Sequence, residues 1–133
     1  MAIKQKRMTL IWQTIKWLIL PFLWMGFIFF LSAQPVLPGP KVMWSDFLFK
    51  KCAHMFVYAM LYLWWLLFFK KYETLNGKKL KNKWWWSLVL VFLYALTDEY
   101  HQSFIFGRTA TVRDIGFDTL GGLTAMLWAY RVI

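Results

Sequence analysis

The stretch MFVYAMLYLWWLLFF, Met55 to Phe69, decides the fold class because it contains no charged residue, glycine or proline. The segment predicted around it, 46–69, exceeds the about 20 residues that a helix needs to cross the hydrocarbon core. The rest of the chain is similar: 60% of its 133 residues are hydrophobic, with 10 Trp, 13 Phe and 6 Tyr. A soluble domain of this size has too little interior for them, since typical usage is about 45–50% apolar. The sequence therefore predicts an integral membrane protein.

Four predicted helices give an all-α bundle of transmembrane helices in a single domain, residues 1–133. Their approximate bounds are 9–31, 46–69, 84–102 and 111–130. The first apolar run is longer than the about 7–15 residues of a signal-peptide core, so we expect an uncleaved anchor. Pro21 lies inside that run, where membrane helices tolerate it.

Two of the predicted helix starts carry capping residues. Ser45 or Asp46 is expected to cap the second helix, since a side-chain oxygen at this position accepts a backbone N–H. Thr111-x-x-Asp114 matches the capping box, in which both side chains bond to backbone N–H groups at the start of a helix. The fourth helix is therefore predicted to begin at Thr111.

Lysine and arginine are unequally divided between the two sides of the predicted bundle. One side has eleven: Lys4, Lys6, Arg7, Lys16, Lys70, Lys71, Lys78, Lys79, Lys81, Lys83 and Arg131. The other side has five: Lys41, Lys50, Lys51, Arg108 and Arg113. By the positive-inside rule both termini are expected in the cytoplasm. The net charge of +10 is then explained by basic residues that set the orientation in the membrane and attract anionic lipid. No nucleic-acid partner is expected.

Polar residues recur three or four positions apart at one end of the predicted helices, and such positions share a helix face. The stripes comprise Lys51, His54, Tyr58 and Tyr62 in the second helix, Tyr94, Thr97 or Asp98, His101 and Gln102 in the third, and Asp114 and Asp118 in the fourth. The last stripe continues into small residues suited to close helix packing: Gly121 or Gly122, Ala125 and Ala129.

Ionisable groups are costly in hydrocarbon and normally face the bundle interior or water, so these stripes are expected to converge on one outer-facing polar pocket. The predicted ligand-binding residues are Lys51, His54, Tyr58, Asp98, Glu99, Gln102, Arg108, Asp114 and Asp118. Glu99 is turned about 100° from Asp98 on the helix and would face a different neighbour. A purely structural alternative for Asp114 is a helix cap.

The same polar residues also raise the possibility of metal binding or nucleophilic catalysis. Asp98-x-x-His101 resembles the carboxylate-x-x-His motif of metal-binding helix bundles. Together with Asp118 it is a candidate divalent-metal site, but a single motif of this kind does not favour metal binding. The single cysteine, Cys52, excludes an internal disulfide and a cysteine-based zinc site. Neither it nor a serine lies in a motif typical of a catalytic nucleophile.

Three blocks of the sequence resemble the VanZ-like family of small bacterial membrane proteins. They are FFLSAQP (Phe29–Pro35), KKCAHMFVYAMLYL (Lys50–Leu63) and DEYHQSFIFGRTATVRDIGFDTLGG (Asp98–Gly122). The family pattern falls on Ser32, Gln34, Lys51, His54, Tyr58, Asp98, Glu99, Gln102, Gly107, Arg108, Asp114 and Asp118. Two positions depart from it: Asp118 stands where an Asn is commoner, and Phe106 replaces the usual Pro.

The resemblance implies a four-helix, multi-pass protein of the bacterial cell membrane linked to resistance to teicoplanin-type lipoglycopeptides. Its expected partners are membrane lipids, a lipid-linked cell-wall intermediate or the lipoglycopeptide itself. The first hypothesis is binding of a lipid-linked or phosphorylated headgroup. The alternative is a membrane-embedded enzyme on a lipid substrate, with His54 or Glu99 as general base, Asp98 orienting a histidine and Arg108 stabilising negative charge. A small proton-coupled exporter is a third hypothesis. The sequence predicts no particular cofactor or oligomeric state.

Overall fold

The computed structural model describes residues 2–35, 43–106, 108 and 111–132, and within these ranges the chain is helical with turns and has no strand. Its four helices are α1 (Ala2–Ser32), α2 (Met43–Asn76), α3 (Lys83–Gln102) and α4 (Val112–Val132). The predicted all-α class is thus confirmed. Within these described ranges, two helices are long and apolar enough to cross a membrane, α1 over Arg7–Ser32 and α2 over Phe47–Asn76.

The first two helices are longer than the sequence pattern predicts. The basic arm before Thr9 continues α1, because it contains good helix formers and neither glycine nor proline. At its start α2 begins at Met43, so Ser45 and Asp46 both lie inside the helix and the predicted N-cap at either residue is wrong. At its other end α2 runs through the first lysines to Asn76, and Gly77 then adopts a positive φ of 65° that ends the helix.

Glu73 closes the connection between α2 and α3. One of its carboxylate oxygens accepts the backbone N–H of Leu80 at 2.6 Å, and the other lies 2.5 Å from the ammonium of Lys83. We call this arrangement the Glu73 clasp. It satisfies a backbone group of the turn and holds the beginning of α3 against the end of α2.

The core of the bundle is built around α2, which packs against all three other helices. Tyr58, Leu61 and Tyr62 are fully buried along it. The indole N–H of Trp24 in α1 donates to the Val57 carbonyl at 2.8 Å, and the Tyr94 hydroxyl of α3 donates to the Met25 carbonyl at 2.6 Å. Large apolar side chains also cover the outside of the helices, a surface that soluble monomers rarely expose and that suits contact with lipid.

The small-residue stripe of α4 allows it to approach α2 closely. Gly121, Gly122, Ala125 and Ala129 are all buried, as predicted for a packing face. A Cβ atom built on Gly121 would lie 2.8 Å from the Met55 Cα and 2.9 Å from its carbonyl carbon. These are backbone atoms and cannot move aside without shifting the helix, so only glycine fits at this position.

We expect Gly121→Ala to destabilise the protein by about 1–3 kcal/mol, because the added methyl forces α2 and α4 apart. Gly116→Ala is the matched control in the same helix, since a Cβ there meets no atom within 4 Å. The control should gain up to about 1 kcal/mol from helix propensity. The measurement is the thermal unfolding midpoint of the purified protein in detergent. Equal midpoints for the two variants would contradict the close packing.

Candidate functional site

The polar residues gather at one end of the bundle, which we call the polar end. It is formed by the C-terminal ends of α1 and α3, the N-terminal ends of α2 and α4, and the turns after α3. Consecutive helices run in opposite directions, so alternate helix ends meet here. Polar positions that are far apart in the sequence therefore come into contact.

Asp98 is the junction of three helices at the polar end. Its Oδ2 accepts hydrogen bonds from the Ser32 hydroxyl at 2.8 Å, the Tyr58 hydroxyl at 3.0 Å and the Gln102 amide at 3.0 Å. These donors lie on α1, α2 and α3 respectively, and all four residues are buried. A carboxylate that receives several hydrogen bonds is stabilised in its charged form, which offsets the cost of burial.

An ion pair and a histidine–carboxylate contact join α2 to α4 beside this junction. The ammonium of Lys51 contacts the carboxylate of Asp114. One turn deeper, the Nδ1 of His54 lies 3.1 Å from the Oδ1 of Asp118, whose side chain is fully buried. Asp114 and Asp118 are one turn apart on α4, and Lys51 and His54 are nearly one turn apart on α2, so the same helix contact aligns both pairs.

The predicted capping box is wrong, because its two side chains are used differently. The carboxylate of Asp114 contacts Lys51, and the Thr111 hydroxyl has no partner among the described residues. The backbone N–H of Thr111 donates instead to the Oε2 of Glu99 at 3.1 Å. A carboxylate from α3 thus satisfies a backbone group at the start of α4, which begins at Val112. Glu99 faces a different neighbour from Asp98, as its angular offset predicted.

Arg108 ties the turns after α3 to the end of α1. Its Nε donates to the Gln34 carbonyl at 3.0 Å and one terminal nitrogen donates to the Leu31 carbonyl at 3.2 Å. The other terminal nitrogen donates to the Gln102 side chain at 3.4 Å. Burial lowers the pKa of Arg108 from its ordinary value, while the charges of Asp98 and Glu99 act in the opposite direction. Described residues engage three of its five N–H groups.

His101 does not join the carboxylates. Its ring stacks on Phe29 of α1 with centroids 4.3 Å apart, and its Nε2 is buried without a partner among the described residues. Among the residues that the structure describes, no group of three or more His, Cys, Asp or Glu side chains is placed to hold a metal ion. Asp98, His101 and Asp118 therefore do not form the candidate metal site.

Three buried carboxylate oxygens at the polar end have no hydrogen-bond partner among the described residues: Oδ1 of Asp98, Oε1 of Glu99 and Oδ2 of Asp118. Buried polar atoms in folded proteins are nearly always paired, so these oxygens need an explanation. A cavity of about 40 Å³ lies between α1 and α2, and its lining includes Ser32 and His54, which contact Asp98 and Asp118. It has room for about two or three water molecules.

The contacts at the polar end join more acids than permanent cations. The carboxylates are Asp98, Glu99, Asp114 and Asp118, and the permanent cations are Lys51 and Arg108. His54 adds a third positive charge only when it is protonated.

All nine predicted ligand-binding residues lie at the polar end, although their role in binding stays a prediction. Sequence reasoning did not assign Ser32 to the site, nor the backbone groups of Leu31, Gln34 and Thr111 that complete the contacts. The family pattern around Ser32 was a signal for the first of these. Gly107, which belongs to the same pattern, lies outside the described residues.

We expect Tyr58→Phe to destabilise the protein by about 1.5–3 kcal/mol, because it removes a donor from a buried carboxylate. Tyr62→Phe is the matched control: Tyr62 is equally buried on the same face, but its hydroxyl bonds a neutral backbone carbonyl at 3.4 Å. The control should lose about 1 kcal/mol or less. Denaturation in detergent measures both, and an equal loss would contradict the role of Asp98 as a charged junction.

Comparison with known proteins gives one family match. The sequence model of the family described as VanZ/LLP1 matches residues 17–133, which covers most of the chain and all of the polar end. No curated protein and no solved structure matches the chain at a significant level.

Proposed function

The chain belongs to the VanZ/LLP1 family, and we propose that it is a four-span bacterial membrane protein that lowers the action of teicoplanin-type lipoglycopeptides. The name of the family supports the link to glycopeptide resistance. We further propose that the polar end faces outward and binds the headgroup of a lipid-linked cell-wall intermediate or of the lipoglycopeptide.

The four-span topology rests on length and on the distribution of polar residues. With 20 and 21 residues, α3 and α4 are each about 30 Å long, which matches the hydrocarbon core. Their polar residues lower their mean hydropathy, but Asp98, Glu99 and Asp118 are buried and so face away from lipid. The excess of lysine and arginine at the opposite end of the bundle supports cytoplasmic termini.

The observation that carries the binding proposal is the set of three buried carboxylate oxygens without partners. An ammonium or a sugar hydroxyl would supply the missing donors. A phosphate is repelled by the same carboxylates and would need a cation such as Arg108 beside it. The amine- or hydroxyl-bearing part of a headgroup is therefore the better match for the cluster, with any phosphate nearer to Arg108.

We expect Glu99→Gln to abolish resistance while preserving the fold. The amide oxygen of Gln still accepts the Thr111 N–H, but its NH₂ group replaces the free acceptor with a donor. Glu73→Gln is the matched control, because Glu73 also accepts a backbone N–H yet lies at the opposite end of the bundle. The measurement is the minimum inhibitory concentration of teicoplanin in a susceptible Gram-positive host expressing each variant at equal levels.

Two results would contradict the proposal: no rise in the inhibitory concentration with the unmodified chain, or equal protection by the Glu99→Gln and unmodified chains. Binding itself is tested on the purified protein with a polyprenyl phosphate and with the same lipid carrying an aminosugar. The sugar-bearing lipid should bind more tightly, and Glu99→Gln should remove that difference.

An enzyme acting on a lipid substrate is the second candidate, and the His54–Asp118 pair favours it. A carboxylate on one ring nitrogen orients the imidazole, which can then take a proton through the other. His54 also lines the 40 Å³ cavity, where a water molecule could be activated. His54 and Asp118 would be the general base and its positioning residue.

If the protein is an enzyme, cells expressing it should contain a modified lipid that disappears with His54→Gln. The comparison is between total lipid profiles, by mass spectrometry, of cells carrying the unmodified chain, the variant and an empty vector. His101→Gln serves as the control, because His101 stacks on Phe29 and does not contact the carboxylates. Identical profiles for the unmodified chain and the empty vector would exclude this candidate.

A further inference from the structure

An apolar groove lies on the side of the bundle between α2 and α4. It has a volume of about 310 Å³, and its lining includes Met60, Trp64 and Leu67 of α2 and Trp128 of α4. Lys70 is its only charged lining residue and lies at the end away from the polar end. The groove thus combines an apolar trough with a single positive charge at one end.

The length of the groove matches one leaflet of a membrane. From Met60 to Lys70 the helix advances ten residues, or roughly 15 Å. The hydrocarbon core is about 30 Å thick, so the groove extends over half of it. A single acyl chain that lies along the groove would reach from the bilayer centre to the level of Lys70.

The surroundings of Lys70 place it at headgroup depth. Its ammonium lies 5.4 Å from the centre of the Trp84 ring, and that ring makes an edge contact with Tyr130. Tryptophan and tyrosine collect at the boundary between hydrocarbon and water. The nearest carboxylate along the chain, Glu73 in the last turn of α2, is engaged by Leu80 and Lys83.

We propose that this groove is a binding site for an anionic phospholipid, whose acyl chain lies between Trp64 and Trp128 and whose phosphate contacts Lys70. Basic pockets between membrane helices are suited to anionic headgroups. The apolar trough selects a chain-bearing ligand, and the lysine selects a negative headgroup over a zwitterionic one. This site is separate from the polar end and does not depend on the resistance function, although it requires that α2 crosses the membrane.

The test uses the purified full-length protein in neutral detergent and the thermal unfolding midpoint, which rises when a ligand binds the native state. Phosphatidylglycerol should raise the midpoint more than phosphatidylcholine with the same chains. Inorganic phosphate and glycerol phosphate, which lack a chain, should have no effect. A rise with phosphate alone would reveal a simple anion site and overturn the proposal.

Substitutions then locate the site. Lys70→Gln should weaken phosphatidylglycerol binding about fivefold to tenfold, while Lys79→Gln in the exposed connection should leave it nearly unchanged. Leu67→Trp keeps Lys70 but fills the groove, so it should also weaken binding. It tests the same site if the Lys70→Gln variant does not fold. Native mass spectrometry counts the bound lipid in each variant. Equal binding by all variants would exclude the groove, and loss only with Lys79→Gln would assign the lipid to the lysine-rich connection instead.

Discussion

The close approach of α2 and α4 is the constraint on which the rest of the structure depends. Gly121 lies against the backbone of Met55, where no larger residue fits. Asp118 lies three residues before Gly121, and His54 lies next to Met55, so the glycine contact sets the distance across which these two side chains meet. Lys51 and Asp114 meet one turn further along. The geometry of the polar end is therefore a consequence of apolar packing deeper in the bundle.

Much of the polar end could be predicted from helix periodicity. Lys51, His54 and Tyr58 recur at spacings that place them on one face, as do Asp114 and Asp118. In a membrane segment a buried charge must face another helix, because the lipid side offers no partner. Periodicity and this constraint together assign neighbours to such residues without any knowledge of the fold.

The contacts that involve the backbone could not be predicted in this way. The Arg108 side chain bonds carbonyl groups at the end of α1, and Glu99 bonds the N–H group of Thr111. Every residue type offers these backbone groups, so they leave no signal in the sequence. The local match to a capping box was misleading because tertiary partners replace the box: Asp114 contacts Lys51, and Glu99 accepts the Thr111 N–H. The lengths of α1 and α2 were also underestimated. The basic arm of α1 and the lysine-bearing end of α2 contain good helix formers, but a prediction from hydropathy leaves them out of the helices.

The Glu73 clasp bears on the order in which the chain assembles during synthesis. Its participants lie within ten positions of one another, so it closes as soon as α2 and the first turn of α3 have emerged. The acids that contact Lys51 and His54 arrive only with α4, which is synthesised after α3. Until then the nascent hairpin holds two basic groups without their counter-ions. A product truncated after α3 would keep them in that state, which would make it a substrate for the proteases that remove incomplete membrane proteins.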